Sequence, residues 1–248
     1  MALPRTDFGK LYMLLDRPKQ DEAFQRLFRR ALELENQKRL VMERLETAHA
    51  PIWADPALHA ELKVLFPSYA QNIAANSANA TSGILTLTIN SQPQIVWAGD
   101  SPLLNIGVAL GATKPAWIVG PHHGAPSDWA QSAAQSALAH FMPERSFLSV
   151  GTHNQHQHPN PALIRNMAAG SCRVVCSQIT RQCHPDAAKS GFVVVNGNPI
   201  YGYLPATKGN PCRGAARLIY GAGGFAVDKW DAIHFEKVKK LRRPLCLN

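Results

Sequence analysis

Apolar runs that alternate with helical stretches through the middle of the chain predict an α/β domain. Two observations carry this. Short strand-like segments AWIVG (116–120), SFLSVG (146–151) and RVVCS (173–177) are separated by helical stretches over 126–141 and 161–169. Ahead of them, GILTLTIN (83–90) alternates apolar residues with Thr and returns as IVWAGD (95–100), a hairpin turning at SQPQ.

Taken in order, residues 8–15 (FGKLYMLL) read as a buried strand. A helix is then expected from about Gln20 to Ala48, where Phe24, Leu27, Phe28, Ala31, Leu32 and Leu34 recur at three- and four-residue steps and Leu40, Val41 and Leu45 extend the stripe. Asp21 and Glu22 suit its first turn, and its apolar stripe is expected to pack on the sheet. Pro51 and Pro56 open a loop, LKVLF (62–66) is a strand closed by Pro67, and an Asn-, Ala- and Ser-rich loop follows. GFVVVNG (191–197) reads as a late strand. Three regions are expected: 1–60, a strand and amphipathic helix; 61–205, the α/β body; and 206–248, a basic tail containing cysteines.

Composition narrows the function. In 248 residues, 46% are apolar, enough for a core, and only 17% are charged, which excludes a solvated coiled coil. No apolar run reaches the length of a membrane span, and MALPRTDFGK lacks the features of a signal peptide, so a cytoplasmic protein with no membrane partner is expected. The net charge of +9 points only weakly to nucleic acid. GAGGF (221–225) lacks the spacing of a phosphate cradle and reads as a turn. A Ser nucleophile elbow is also missing.

Chemistry gathers after three strands. IVWAGD ends at Asp100, AWIVG runs into Pro121, His122, His123 and Gly124, and SFLSVG runs into Thr152, His153, Asn154, His156 and His158. Five of the ten histidines lie in those two loops. Loops leaving the strand ends of such a sheet converge on one rim, and imidazole with carboxylate is ordinary ligand chemistry for zinc, manganese or iron. Taken singly, an Asp after Gly can merely cap a turn, and loop histidines are common.

In this order, LKVLFPS, NATSGILTLTI, IVWAGD, WIVGPHHGA and FLSVGTHNQHQHP resemble the C-terminal half of a metallo-β-lactamase fold, in its ComEC/Rec2-like branch, which also occurs beside bacterial antiviral defence genes. The resemblance implies an incomplete αββα sandwich with one or two divalent metals, such as zinc or manganese, at the rim. It makes Asp100 a metal ligand, His122 or His123 and His158 metal-site or catalytic residues, and Asn154 a loop residue beside them. The family's His-x-His-x-Asp-His signature is absent here: His49 and His59 stand alone, and only about fifty residues precede LKVLF. The first half is therefore expected to be lost, encoded separately or cut off by a misplaced start.

Cys172 and Cys176 bracket RVV, and Cys172 reads as a small core residue. Cys183, Cys212 and Cys246 sit in loops or beside proline, which are poor core positions. The run Cys-Ser-Gln-Ile-Thr-x-x-Cys-His, the Pro-Cys-x-Gly and the terminal Pro-Leu-Cys resemble the tails of defence-associated members of the family, and imply a structural zinc on Cys176, Cys183, Cys212 and Cys246, with His184 as a substitute ligand. The end of the chain predicts a helix with His234, Phe235, Val238 and Leu241 on one face and Lys237, Lys239, Lys240, Arg242 and Arg243 outside it. Two functions are expected from these readings: a metal-dependent hydrolase of phosphodiesters, acting on nucleic acid or a nucleotide, or a catalytically inactive scaffold subunit that binds a protein partner, or itself, through the flank exposed by the missing half.

Overall fold

The computed structural model describes residues 9–13, 22–47, 50–184, 187, 212–214, 216–221, 224–227, 230–239, 241 and 244–247. Its centre is a seven-stranded mixed sheet in chain order, flanked by helices. Strands β3 (Trp53–Asp55), β4 (Ala60–Phe66), β5 (Ile84–Ile89) and β6 (Gln92–Trp97) are antiparallel. From β6 onward, β7 (Trp117–Val119), β8 (Arg145–Leu148) and β9 (Arg173–Cys176) are parallel. The strand at 191–197 lies outside the described residues.

The N-terminal segment departs from expectation. A strand β1 (Lys10–Met13) and helix α1 (Glu22–Asn36) are present, but the helix stops well short of Ala48, and β2 (Val41–Arg44) runs parallel to β1 in a separate two-stranded sheet. Lys38 takes a left-handed φ of 57°, which ends the helix, and the apolar stripe of Leu40 and Val41 continues into a strand. Helix α1 rests on β2. This unit meets the large sheet where Thr47 N–H donates to Pro67 O at 3.1 Å and Leu45 lies against Gly83.

The β5–β6 hairpin turns at Asn90–Ser91, with φ of 50° and 63°, rather than at SQPQ. Positive φ at both central residues matches the right-handed strand twist. Pro93 instead falls inside β6, beside a bulge between Leu87 and Thr88, where its missing N–H is tolerated.

The stretch after Pro67, expected as loop, holds helix α2 (Tyr69–Ala74). Ser68 Oγ accepts from Gln71 N–H, and the Gln71 side chain accepts from Ser68 N–H, which forms a capping box. Helices α3 (Leu103–Leu110), α4 (Ser132–Phe141) and α5 (Pro161–Ala169) are the crossovers between the parallel strands. They bury Leu103, Ile106, Leu138, Phe141, Leu163 and Met167 against Val96, Ile118, Leu148 and Val174. On the other face Ile95, Trp117 and Val175 pack with Leu218 and Phe225 of a hairpin, β10 (Leu218–Gly221) and β11 (Gly224–Val227). GAGGF therefore joins two strands.

Helix α6 (Trp230–Val238) is the last element among the described residues. His234, Val238 and Leu241 are buried and Phe235 is half-buried, as the face pattern predicts. Asp231 accepts from Arg145 at 3.1 Å and from Arg173 at 2.9 Å, and the Arg173 guanidinium lies 3.5 Å from the Phe235 ring centre. Of the basic run, Lys239 is exposed and paired with Glu236 at 2.7 Å; Lys240, Arg242, Arg243 and the Lys237 side chain lie outside what is described. Among the described residues no helix is long and apolar enough to cross a membrane.

Candidate functional site

Parallel strands that step in one direction deliver their C-terminal ends to one rim, and each of the three carboxylate and histidine clusters singled out in the sequence follows such an end. Asp100 follows β6, His122 and His123 follow β7, and Asn154, His156 and His158 follow β8. All six line one open cavity of about 630 Å³, together with Ser149, Val150 and Gly151.

Local bonds explain how each side chain reaches it. Gly99 has a φ of +51°, which turns the chain so that Asp100 N–H meets Ser82 Oγ at 3.0 Å, and Ser101 Oγ donates to Ser82 O at 2.8 Å. Ser82, from the NATSG stretch, thus clamps the Gly-Asp turn. His122 N–H donates to Gly99 O at 2.9 Å, which ties the second loop to the first. The second and third loops are then pressed together: a Cβ on Gly124 would stand 2.7 Å from Pro159 Cβ, while Asn160 N–H donates to Gly124 O at 2.8 Å. Both histidines of the pair have positive φ, 40° at His122 and 54° at His123. For side chains other than Gly this is a strained conformation of the kind that collects at functional sites.

The rings sit close together. His122 and His158 centroids are 5.8 Å apart, His122 and His123 6.1 Å, and His123 and His158 6.2 Å. His156, exposed, stacks on His158 at 5.5 Å. His123 Nδ1 lies 2.6 Å from Ser149 O. A carbonyl only accepts, so Nδ1 carries the proton and the other ring nitrogen is left to the cavity. That Nε2 faces Asp100 Oδ1 at 3.6 Å. A lone pair opposite a carboxylate is repulsive, and the contact is relieved either by a proton on Nε2 or by a cation between the two atoms. His122 Nδ1 is buried with no hydrogen-bond partner among the described residues. Burial holds the His158 imidazole below its ordinary 6.5, with His122, His123 and His156 adding to the effect and Asp100 opposing it. The neutral form of His158 is thereby favoured.

Asn154 holds the third loop in shape. Its Nδ2 donates to Gly151 O at 2.6 Å and His158 O at 3.1 Å, and its Oδ1 accepts from His158 N–H at 2.7 Å. It clasps the loop that presents His158. His153 is exposed and does not line the cavity.

The donor chemistry of the rim, three imidazoles and a carboxylate, suits a divalent ion, and the orphaned His122 Nδ1 fits that use. Two imidazoles on one tetrahedral zinc have ring centres about 5 Å apart, close to the observed spacing. Even so, among the described residues no group of three or more His, Cys, Asp or Glu side chains already has its donors set to hold a metal.

The cysteines form a second, buried group. Cys176, Cys183 and Cys212 belong to the main core with Cys246 packed against it, and Cys172 lies in the same core. Burial, with Cys212, Cys183 and Cys246 adding to it, pushes the Cys176 thiol well up; burial takes Cys246 to about 12, with Cys183 adding, and Cys172 to about 12 against the opposing charge of Arg145. His184 N–H donates to Thr180 O in the turn that carries Cys183. His234 Nε2 is 3.2 Å from Cys212 Sγ.

Reading the sequence missed two supports of the rim: Ser82 and the Ser149 carbonyl. Ser82 was visible inside the NATSG run; a backbone carbonyl leaves no sequence signal. No family model, no curated protein and no solved structure matches the chain.

Proposed function

We propose that this chain is a metal-dependent hydrolase of phosphodiesters, acting on nucleic acid or a nucleotide, built on the C-terminal half of a metallo-β-lactamase-type sandwich. The observation that carries the reading is the meeting of Asp100 with His123 at 3.6 Å, beside two further imidazoles that line the same open cavity. Sequential strands, antiparallel then parallel, with helices on the parallel half support the fold. Asp100, His122, His123 and His158 would hold the ion, which when bound supplies a Lewis acid for the phosphate oxygens and an acidified water.

The chain's own residues then divide the remaining work. The Ser149 carbonyl fixes the His123 tautomer and turns Nε2 inward. His158, whose neutral form burial favours, is able to take a proton from water or hold a ligand position, and Asn154 sets its place. His156, exposed to solvent, lines the same cavity and would meet a substrate there.

The test is hydrolysis of bis-(p-nitrophenyl) phosphate and of single-stranded DNA with added manganese or zinc. Metal-dependent turnover is expected, falling by about 100-fold or more in His158→Ala and abolished in Asp100→Ala. No turnover with either ion, alone or with a co-expressed chain that supplies the His-x-His-x-Asp-His segment, would overturn the reading.

A second reading, a non-catalytic scaffold subunit in a bacterial antiviral defence system, is supported by the edge strand β3. Among the described residues it pairs on one side only, with β4, and it exposes 47% of Trp53. Self-association in solution that Trp53→Glu abolishes would favour it.

A further inference from the structure

A second cavity adjoins the loop that carries His156 and His158. It has a volume of about 340 Å³ and is lined by Pro161 and Arg165 of α5, by Gln182, and by Pro244, Leu245 and Leu247. The last three belong to a turn in which Leu247 N–H donates to Pro244 O at 3.4 Å. Helix α5 starts at Pro161, where the rim loop ends. Gln182 ties the second cavity to the first: its Nε2 donates to Gln157 O at 3.0 Å, and Gln157 stands between His156 and His158.

The two cavities differ in what they can hold. No Lys or Arg lines the histidine cavity, so phosphates beyond a scissile one find no fixed cation there. The second cavity has such a cation in Arg165, which is exposed on α5 and has no ion-pair partner among the described residues. No carboxylate lines it. Its other walls are two prolines, two leucines and the Gln182 amide, whose Oε1 is left to accept a hydrogen bond. Apolar walls suit the flat face of a base, and a guanidinium beside them suits the phosphate that follows it.

We infer that this cavity is a subsite for single-stranded nucleic acid. One unstacked base enters between Pro161 and the 244–247 turn, Arg165 holds an adjoining phosphate, and the strand continues over the Gln157 loop to the histidine cavity. The inference deepens the hydrolase reading, on which the path of the strand rests, and selects a polynucleotide over a free nucleotide. A duplex keeps its bases stacked and cannot offer one to the slot, whereas a single strand splays them out.

The test is fluorescence anisotropy of a labelled single strand of about 12 nucleotides, as DNA and as RNA, on the full chain without added metal, so that binding is read apart from hydrolysis. Wild-type binding is expected to weaken as salt rises. Arg165→Glu, a change at an exposed side chain, is expected to weaken it by about 10-fold, and Arg165→Gln to lower the salt slope by about 0.7. A strand of the same length and charge that lacks its bases is expected to bind the wild-type chain about 10-fold more weakly. A mononucleotide and a blunt duplex are expected not to displace the labelled strand. Equal binding by wild type and Arg165→Glu, or equal binding of the strand with and without bases, would overturn the subsite. Displacement by a mononucleotide at equal concentration would make the slot a nucleotide pocket and overturn the path of the strand. Failure of the hydrolase reading shows separately: no turnover of bis-(p-nitrophenyl) phosphate, with Arg165-dependent strand binding intact, would overturn the hydrolase and leave the subsite standing.

Discussion

The histidine rim and the cysteine group lie one loop apart, are both built of ligand-type side chains, and differ chiefly in their access to water. At the rim, Asp100 and His123 each leave nearly half of their side chain exposed, and the cavity is open. In the second group Cys176, Cys183, Cys212 and His234 are all buried. Closed sites hold structure together, whereas sites with an open position do chemistry on what enters. Burial thus separates two sets of side chains that composition alone would place in one class.

If the groups are so divided, damage to the buried side should cost stability and damage to the rim should cost activity. The largest stability effect is expected at Asp231, buried between Arg145 and Arg173. Asp231→Ala leaves two guanidinium groups facing each other without their carboxylate, and unfolding in urea should show a loss of about 3 kcal/mol or more. Arg173 is partly exposed, which keeps the loss toward the lower end of that range. A loss under about 1 kcal/mol would mean that α6 is held chiefly by its apolar face.

Next in size is Gly124→Ala, which tests whether the rim depends on contact between its two loops. The new methyl meets Pro159 and Leu148 at 2.7 and 2.9 Å, on a backbone with φ of +82°. The cost expected is about 2 kcal/mol, together with a loss of metal binding at the rim as His122 and His123 draw away from His158. Unchanged stability would show that the loops do not press on one another.

Much of this arrangement was legible in the chain. The parallel strands, α5 and the clustered histidines each carry a local signature: helix α5 starts at Pro161 behind Asn160, whose Oδ1 accepts from Ala162 and Leu163 N–H groups. What stayed hidden depends on contacts distant in sequence. Helix α3 reads as an apolar run containing Gly107, and Pro102 gives it no side-chain cap; its N–H groups at Leu103 and Leu104 are met by Asp128, both at 2.9 Å, from the loop after β7. The partnership of His234 with Cys212 likewise spans separate elements. By contrast, Ser68 and Gln71 stood in plain capping-box spacing ahead of α2 and were a readable signal. Helix α1 was read too long because its apolar stripe runs on into β2, and nothing in that periodicity marks the left-handed turn at Lys38.

Asn154→Ala should sharpen the contrast at smaller cost. Three hydrogen bonds within the 151–158 loop disappear, on a side chain still partly reached by water, so about 1–2 kcal/mol is expected. The metal affinity proposed for the rim should fall with it, and a loss in urea unfolding well beyond that range would place Asn154 in the general fold instead of the rim.

The smallest effect is on pH dependence. His158 binds its proton less readily folded than unfolded, so as pH falls through 6.5 the unfolded chain gains protons first and stability falls; well above 6.5 both states are neutral and the group contributes nothing. His158→Gln should flatten that acid limb slightly. Metal binding at the rim should weaken over the same range, since the ion competes with protons for imidazole. Asp100 works the other way, favouring the charged ring. Asp100→Asn should therefore lower the His158 titration further, which NMR of the ring protons reads directly. A titration moved upward by Asp100→Asn would mean that the carboxylate does not face the three rings as a group.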